Sequence, residues 1–228
     1  MPLLYKVPED EMMRSYYAIL TADIVSSRNL QDKSLWLLPF KSFLVEAQKR
    51  YGYYQNDWSF YRGDGFQISM NPLYAFEFSI VLRSFLKSLP IFNAHEMDIR
   101  ISVGLGVQTY QANVVAESDG PAYQYSGKLL DKMANLGWNL ALSSPWPDLN
   151  EEMKVVLKLL DLLTKHWTIV QARTVHDSLY RPGTQQELAK KWKITQPAVQ
   201  KRIQRANIDA IKMVDERYRT LVSKYIYD

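Results

Sequence analysis

The chain has 228 residues, of which 47% are hydrophobic and 13% aromatic, so it can bury a core in one or two domains. It contains no cysteine and only three histidines, which excludes disulfides and thiolate metal sites and argues against a histidine zinc site. No apolar run reaches the ~18 residues that a membrane helix needs, and the N-terminal segment is too acidic for a signal peptide. We therefore expect a cytoplasmic protein with no membrane partner.

The net charge of +4 is distributed unevenly along the chain. Residues 1–147 hold 13 basic and 14 acidic side chains, whereas residues 148–228 hold 15 basic and 10 acidic ones. The segment Leu142–Glu152, which has two prolines and several turn-forming residues, lies at this change in charge. We therefore predict two domains, residues 1–147 and residues 148–228, and a polyanion such as DNA as a partner of the second.

Strand and helix patterns alternate in the first of these domains. Strand patterns are found in three ranges: Ser15–Val25, Asp57–Met70 and Asp98–Tyr110. Helical spacing is found in three others: Lys33–Gly52, Pro72–Leu89 and Pro121–Leu142. Pro39 requires an early position in the first helix or a break there. The order predicts an α+β protein that begins with a ferredoxin-like βαββαβ domain, followed by a small all-α domain.

Two aspartates stand at positions where a metal ion could bind. Asp23 lies near the end of the first strand pattern, and Asp64 lies in a Gly-Asp-Gly turn. In a β-α-β-β sheet, the end of the first strand is close to the following hairpin, so the two carboxylates can converge. Converging carboxylates suit Mg²⁺ or Mn²⁺, which also bind nucleotide phosphates. The alternative is that Asp23 caps the next helix or turn and Asp64 only stabilises a β-turn.

The segments YAILTADIVSSRNL and FYRGDGFQISM resemble the two metal-binding motifs of class III nucleotide cyclases. This resemblance covers most of residues 16–142 and implies the palm fold that these cyclases share with GGDEF proteins. It also implies that the metal ligands are Asp23, Asp64 and the carbonyl oxygen of Ile24.

The positions that carry out the cyclase reaction differ in this chain. Gln124 and Lys128 stand where the cyclases have their transition-state asparagine and arginine, so they are the catalytic candidates. Lys128 keeps a positive charge but lacks the bidentate fork of arginine. Phe60 replaces the lysine that commonly reads the purine, and it could stack on a base without reading its edge.

Four further residues are candidates for binding a phosphate ligand. Ser26, Ser27 and Arg28 follow the first strand, where hydroxyl and backbone N–H groups could line an anion-binding turn. Arg62 precedes the Gly-Asp-Gly turn and could contact phosphate. The alternative is an ordinary loop for the first three and an exposed turn arginine for Arg62.

Overall, the chain is most similar to the SatD family of bacterial proteins, which joins the two motifs to a C-terminal helix-turn-helix. The residues that match the family pattern are Asp23, Ser27, Arg28, Gly63, Asp64, Phe66 and Gln67. This resemblance implies the fold and the order of the domains rather than an activity.

The segment TQQELAKKWKITQPAVQKRIQRA, residues 184–206, has the pattern of a helix-turn-helix. Thr184 and Glu187 have the spacing of a capping box. The positions expected to be buried are Ala189, Ile194, Val199 and Ile203. The pattern resembles the helix-turn-helix of region 4 of sigma factors and of many bacterial regulators.

The second helix of this segment would read DNA. Gln196, Gln200 and Lys201 stand at its groove-facing start, where glutamine can bond adenine and lysine can reach guanine or phosphate. The basic cluster suited to phosphate contacts comprises Lys190, Lys191, Lys193, Lys201, Arg202 and Arg205. The alternative is an amphipathic helix pair with a solvated basic face, or a helix-turn-helix that contacts protein.

The helices around this segment should supply its core. In Glu151–Tyr180, we expect core positions at Val156, Leu159, Leu160 and Leu163. The final helix has an apolar stripe suited to packing or dimerisation, formed by Ile208, Ile211, Val214, Tyr218, Leu221 and Val222. A homodimer suits both parts of the chain, because cyclase sites form between protomers and helix-turn-helix proteins usually read two half-sites.

Three functions follow from these patterns. The first is a SatD-like transcriptional regulator whose palm domain binds a nucleotide or phosphate ligand and whose C-terminal domain binds DNA. The second is a metal-dependent nucleotidyl cyclase with a regulatory helical domain. The third is an interaction protein in which neither site is active.

Overall fold

The computed structural model describes residues 16–25, 32–51, 58–90 and 97–227, except the side chain of Arg62. Within these ranges the chain forms five strands: β1 (Tyr16–Val25), β2 (Trp58–Arg62), β3 (Gly65–Met70), β4 (Asp98–Val107) and β5 (Leu140–Ser143). The same ranges contain eight α-helices: α1 (Ser34–Tyr51), α2 (Ala75–Ser88), α3 (Pro121–Leu136), α4 (Pro147–Lys165), α5 (Ile169–Tyr180), α6 (Gln185–Trp192), α7 (Gln196–Arg205) and α8 (Ile208–Tyr227). None of the helices in these ranges is both long and apolar enough to cross a membrane.

The strands form one mixed sheet in the order β2-β3-β1-β4-β5. The central strand β1 is antiparallel to both β3 and β4, and β5 is parallel to β4. The prediction of a mixed α+β protein is therefore confirmed. The predicted hairpin is also present, because β2 and β3 pair on either side of a tight turn at Gly63 and Asp64.

Helices cover both faces of the sheet, and the alternation of side chains along β1 shows which residues lie on each face. One face packs against α1 and α2, and β1 contributes to it Ala18, Leu20, Ala22 and Ile24. On the opposite face, Tyr17 and Ile19 pack with residues of α3. There α3 lies directly on the backbone of β4, because a Cβ atom on Gly104 would be 2.1 Å from the carbonyl oxygen of Ala122.

The structure corrects three of the predicted helices. The helix predicted to reach Leu142 ends at Leu136, because Gly137 adopts the left-handed conformation with φ 62° and stops it. The residues after this glycine form β5, which the sequence analysis missed. Pro72 begins a short 3-10 helix that precedes α2, rather than α2 itself. Pro39 lies inside α1 beyond its first turn, and the helix continues through it without a break.

The C-terminal helices share a buried core with the sheet and α1 and α2. A buried ionic network joins them, because Arg83 of α2 donates to Asp98 at the start of β4 and to Asp161 of α4, with N···O distances of 2.7–2.8 Å. The Tyr218 hydroxyl of α8 also donates to the Pro72 carbonyl at 2.7 Å. The predicted boundary coincides with the start of α4, and the division into two domains stays a prediction.

The predicted apolar stripe of α8 is buried, whereas the predicted core positions of α4 are only partly buried. The stripe of α8 packs inside the chain, where Ile208, Ile211, Tyr218 and Val222 are buried and Val214 and Leu221 are half-buried. On α4, Leu160 is buried and Val156 half-buried as expected, but Leu159 and Leu163 are 60% and 52% exposed. The prediction that these two leucines are core residues was therefore wrong, because they lie on the side of α4 that faces away from β5 and α8.

Candidate functional site

The first candidate site lies at the end of β1. Asp23 stands directly opposite Arg100 in the β1–β4 ladder. Nη1 of Arg100 donates to both carboxylate oxygens of Asp23, at 3.1 and 2.8 Å. Asp23 is 35% exposed and Arg100 19% exposed, so the pair is open to solvent on one side. An arginine this close to a candidate metal ligand was not foreseen from the sequence.

The hairpin brings a second carboxylate towards Asp23. The ladder between β1 and β3 ends with Ala22 opposite Phe66, so the turn at Gly63 and Asp64 lies beside the end of β1. Burial raises the pKa of Asp23 above its ordinary value of 3.8, the Arg100 guanidinium opposes this rise, and the negative charge of Asp64 adds to it. The negative charge of Asp64 therefore acts on Asp23. Convergence of the two carboxylates on one metal ion stays a prediction.

Polar side chains continue from Asp23 along the same face of the sheet. The Gln67 amide on β3 donates to the Thr21 hydroxyl at 3.2 Å. Thr21 in turn lies 2.8 Å from the hydroxyl of Ser126 on α3. Nε of Arg100 is buried and has no hydrogen-bond partner among the described residues. This face thus carries the Asp23 carboxylate and the Arg100 guanidinium beside a buried pair of hydroxyls.

The predicted ligand residues are not all brought to this place. Phe60 lies on the other face of the sheet, where its ring packs near Phe66 and Lys41 Nζ lies 5.3 Å from its centroid. Stacking of Phe60 on a base held at Asp23 is therefore not supported by its position. The Ile24 side chain is buried in the core, and its backbone pairs with Ile99.

Four of the ligand predictions concern residues or side chains outside the described structure. Ser26, Ser27 and Arg28 lie outside the described residues. The backbone of Arg62 belongs to β2, but its side chain is not described.

The two catalytic candidates lie on the exposed side of α3. Gln124 and Lys128 are exposed, and each is two positions from Ser126, the residue of α3 that reaches β1. Because consecutive helical residues are rotated by about 100°, Gln124 and Lys128 lie on the side of α3 away from Thr21. Within one chain the structure does not bring them to Asp23.

The residues at the end of β1 fit a metal ion only in part. Asp23 and Asp64 supply two carboxylates, which is the share that proteins commonly give Mg²⁺ when phosphates supply other ligands. In the described ranges no group of three or more His, Cys, Asp or Glu side chains gathers as a metal site. Arg100 already contacts both oxygens of Asp23. The site suits a phosphate-bound ion better than an ion held by protein alone.

The second candidate site is the pair α6 and α7. Thr184 and Glu187 form the predicted capping box, with Thr184 N donating to Glu187 Oε2 at 2.7 Å and Glu187 N donating to Thr184 Oγ1 at 3.2 Å. Lys193 ends α6 in the left-handed conformation with φ 53°, and α7 begins three residues later at Gln196. The sequence therefore predicted a helix, a tight turn and a second helix at the right places.

The inner face of this pair differs in detail from the prediction. Val199 is fully buried as expected. Ala189, Ile194 and Ile203 are only half-buried, because α6 and α7 are short and lie at the edge of the chain. Leu188, rather than its neighbour Ala189, is the buried residue of α6.

Of the predicted DNA-binding side chains, Lys190, Lys191, Gln196, Lys201 and Arg205 are exposed. Four members of the set have contacts within the chain. Lys191 Nζ lies 2.7 Å from Asp177 Oδ1, and the Arg202 guanidinium lies 5.6 Å from the Trp192 ring centroid. Gln200 accepts from Gln185 Nε2, and Gln196 Nε2 donates to Gln185 Oε1 at 3.5 Å. Exposed cations thus lie on both sides of the turn.

An open cleft of about 500 Å³ runs between these helices and the helices α2 and α5. Its basic lining residues are Arg173, Lys191, Lys193 and Arg202. Among the described residues that line it, Asp177 is the one acid, and that carboxylate already accepts from Lys191 and from Trp192 Nε1. Arg173, which comes from α5, was missed because an isolated arginine in a helical segment carries no motif.

The chain matches no known family model, no curated protein and no solved structure. Its function is therefore inferred from the two sites themselves. The first combines carboxylates with a guanidinium at the end of a strand. The second combines a capped helix pair with cations from three helices.

Proposed function

We propose that the protein is a SatD-like bacterial regulator that binds DNA and whose sheet domain binds a nucleotide or another phosphate ligand. The observation that carries the proposal is the surface of α7, which presents Gln196, Lys201 and Arg205 to solvent. This helix follows a capped helix and a tight turn, as in a helix-turn-helix. A cytoplasmic location and action as a homodimer belong to the same proposal.

The chemistry of the surface fits a duplex. Gln196 stands at the first turn of α7, where a side chain reaches base edges when the helix lies in the major groove. Lys201 and Arg205 follow along the helix and would contact phosphates. Arg173 and Lys193 extend the positive surface beyond α7. The phosphates of the DNA backbone on either side of the major groove would therefore also contact cations.

The ligand domain is proposed to have the ferredoxin-like palm arrangement. The order β2-β3-β1-β4, with antiparallel neighbours, supports this topology, and β5 would be an addition at one edge. The phosphate ligand would contact Arg100 and would bring Mg²⁺ or Mn²⁺ to Asp23 and Asp64. This proposal keeps the predicted metal ligands and adds Arg100 as a phosphate contact.

Strand β4 takes part both in the first site and in the contacts that hold the C-terminal helix α4. Strand β4 carries Arg100, which contacts Asp23, and Asp98, which accepts from Arg83. Arg83 also donates to Asp161 of α4. A ligand that withdraws Arg100 from Asp23 would act on β4. Because β4 begins with Asp98, which accepts from Arg83, the effect would reach Asp161 and the helix α4.

The second candidate function is a metal-dependent nucleotidyl cyclase. The observation that favours it is the position of the Asp64 turn beside the end of β1, which carries Asp23. Incubation with Mn²⁺ and each nucleoside triphosphate tests it, with Asp64→Asn as the control. We expect no cyclic nucleotide from either protein, and a product that depends on Asp64 would establish the enzyme instead.

The DNA-binding proposal is tested by fluorescence anisotropy with a mixed-sequence duplex at several salt concentrations. We expect binding that weakens steeply as salt rises, because phosphate contacts release counterions. Lys201→Glu combined with Arg205→Glu should weaken binding at least about tenfold. Lys224→Glu, which reverses an exposed lysine near the end of α8, serves as the matched control. Equal binding by all three proteins would refute the proposal.

A further inference from the structure

Helix α4 exposes an apolar stripe in addition to the one it buries. Val155, Leu159, Leu162 and Leu163 are each 52–61% exposed. They follow helical spacing along about two turns. On the opposite side of the same helix, Met153, Leu157 and Leu160 are buried in the core. Four large aliphatic side chains on one short stretch form a contiguous patch, which is typical of an interaction surface.

Opposite charges flank this stripe at its two ends. Glu151 is exposed before Val155, and Lys165 is exposed after Leu163. The separation of Glu151 and Lys165 is close to four helical turns, at about 3.6 residues a turn, so the two side chains lie on the same flank of α4. The apolar patch therefore has an exposed acid near one end and an exposed base near the other, and Lys154 and Lys158 also lie along this part of α4.

We propose that this surface binds a second copy of the chain, with the two α4 helices packed antiparallel about a twofold axis that passes between Lys158 and Leu159. Antiparallel pairing places Val155 of one copy beside Leu162 of the other, and both pairs form at once because the contact is isologous. The same twofold places Glu151 of each copy beside Lys165 of the other. The interface thus has an apolar centre and an ion pair at each end.

The charge pattern favours a second copy over an unrelated partner. A twofold axis perpendicular to a helix brings its acidic end onto the basic end of its copy, so the stripe is complementary to itself. The Lys158 side chain near this axis lies 5.5 Å from the Trp138 ring centroid, which holds its charge to one side of the stripe. The pairing does not depend on DNA binding, although it would join two α7 helices in one particle.

Sedimentation equilibrium of the full chain tests the pairing. We expect the wild type to sediment at about twice the chain mass of 26.6 kDa. Leu159→Asp should weaken dimerisation at least about tenfold, because it places a charge at the centre of the interface. Val45→Asp is the matched control, since Val45 is 54% exposed on α1 and should leave the dimer intact. A wild type that is a monomer at all concentrations, or a Leu159→Asp dimer of unchanged stability, would overturn the proposal.

Exchange of the charges of Glu151 and Lys165 tests whether the dimer forms through this interface rather than through another contact. Glu151→Lys alone and Lys165→Glu alone should each weaken the dimer severalfold, whereas the double variant should restore it, because each pair then has opposite charges again. Absence of restoration would contradict the antiparallel arrangement. A wild-type protein that dimerises but does not bind DNA would contradict the proposed function and would still support this interface. Failure of the proposed function and failure of the interface can therefore be told apart.

Discussion

Asp23 and Arg100 face each other across the β1–β4 ladder, and a single guanidinium nitrogen of Arg100 donates to both oxygens of the Asp23 carboxylate. The aspartate that resembles a cyclase metal ligand is therefore already paired with a cation of its own chain. Asp64 contributes a second negative charge nearby. These three charges are the ones that a metal ion or a phosphate group would meet at the end of β1 in the proposed function.

The first prediction concerns the protonation of Asp23. Its pKa should lie above 3.8, because burial and Asp64 outweigh Arg100. Asp64→Asn should lower the pKa of Asp23, and Arg100→Met should raise it further. Carboxyl-carbon NMR titration measures all three proteins. An Asp23 pKa that does not respond to Asp64→Asn would show that the two aspartates are not neighbours.

The sign of the accompanying stability change follows from the same shift. Because the folded chain binds this proton more readily than the unfolded chain, ionised Asp23 costs stability at neutral pH. That cost is removed as the pH falls through the raised pKa of Asp23 towards 3.8.

The second prediction concerns ligand binding at Arg100. Calorimetric titration with each nucleoside triphosphate and Mg²⁺ should detect binding of at least one of them to the wild type. Arg100→Met should weaken that binding about tenfold or more, because a charge-assisted hydrogen bond is lost. Arg217→Met, which removes an exposed arginine of α8, should leave the affinity unchanged. Wild-type protein that binds none of the triphosphates would contradict the proposed ligand class.

The third prediction concerns the buried network between α2 and α4. Arg83 is 1% exposed and contacts both Asp98 and Asp161. Asp161→Ala should lower the free energy of unfolding by about 3 kcal/mol, because it leaves a buried guanidinium partly unpaired. Glu152→Ala breaks an exposed ion pair of the same helix with Arg217, and should cost at most about 1 kcal/mol. Chemical denaturation compares the variants, and equal costs would contradict the role given to the network.

The fourth prediction concerns His176, which packs among the rings of Phe43, Phe85 and Tyr180. Burial lowers the pKa of His176 to about 4 from 6.5. The unfolded chain then binds a proton that the folded chain does not, so stability falls as the pH drops from 6.5 towards 4. The loss from this group is at most about 3 kcal/mol.

Two histidine variants isolate this effect. His176→Phe should flatten the pH dependence of unfolding in that interval, since the titrating group is gone. His166→Gln, which removes an exposed histidine, is the matched control for the loss of an imidazole. Identical slopes for the wild type and His176→Phe would show that the imidazole is not held neutral.

Local signals made much of this structure predictable. The aromatic and β-branched residues before Val25 predicted β1, the Gly-Asp-Gly turn predicted the hairpin, and Thr184 with Glu187 predicted the start of α6. The order of the elements then brought Asp64 towards Asp23. Each of these predictions rests on residues close together in the sequence.

What was missed depends on distant partners. Leu140–Ser143 reads as the end of a helix, and only the edge of β4 makes it a strand. Arg100 acquires its role because the register sets it opposite Asp23. The exposure of Leu159 also depends on which side of α4 meets the core, and helical spacing alone allows either side.

The most direct test of the account is selection of bound duplexes from a random-sequence DNA pool, with the wild type and with Gln196→Ala. The account predicts that the wild type enriches a defined sequence and that Gln196→Ala relaxes the preference at one position of it, because this side chain stands at the groove-facing start of α7. Lys201→Glu with Arg205→Glu should recover almost no DNA. Recovery of the same unenriched pool by the wild type and all variants would contradict it.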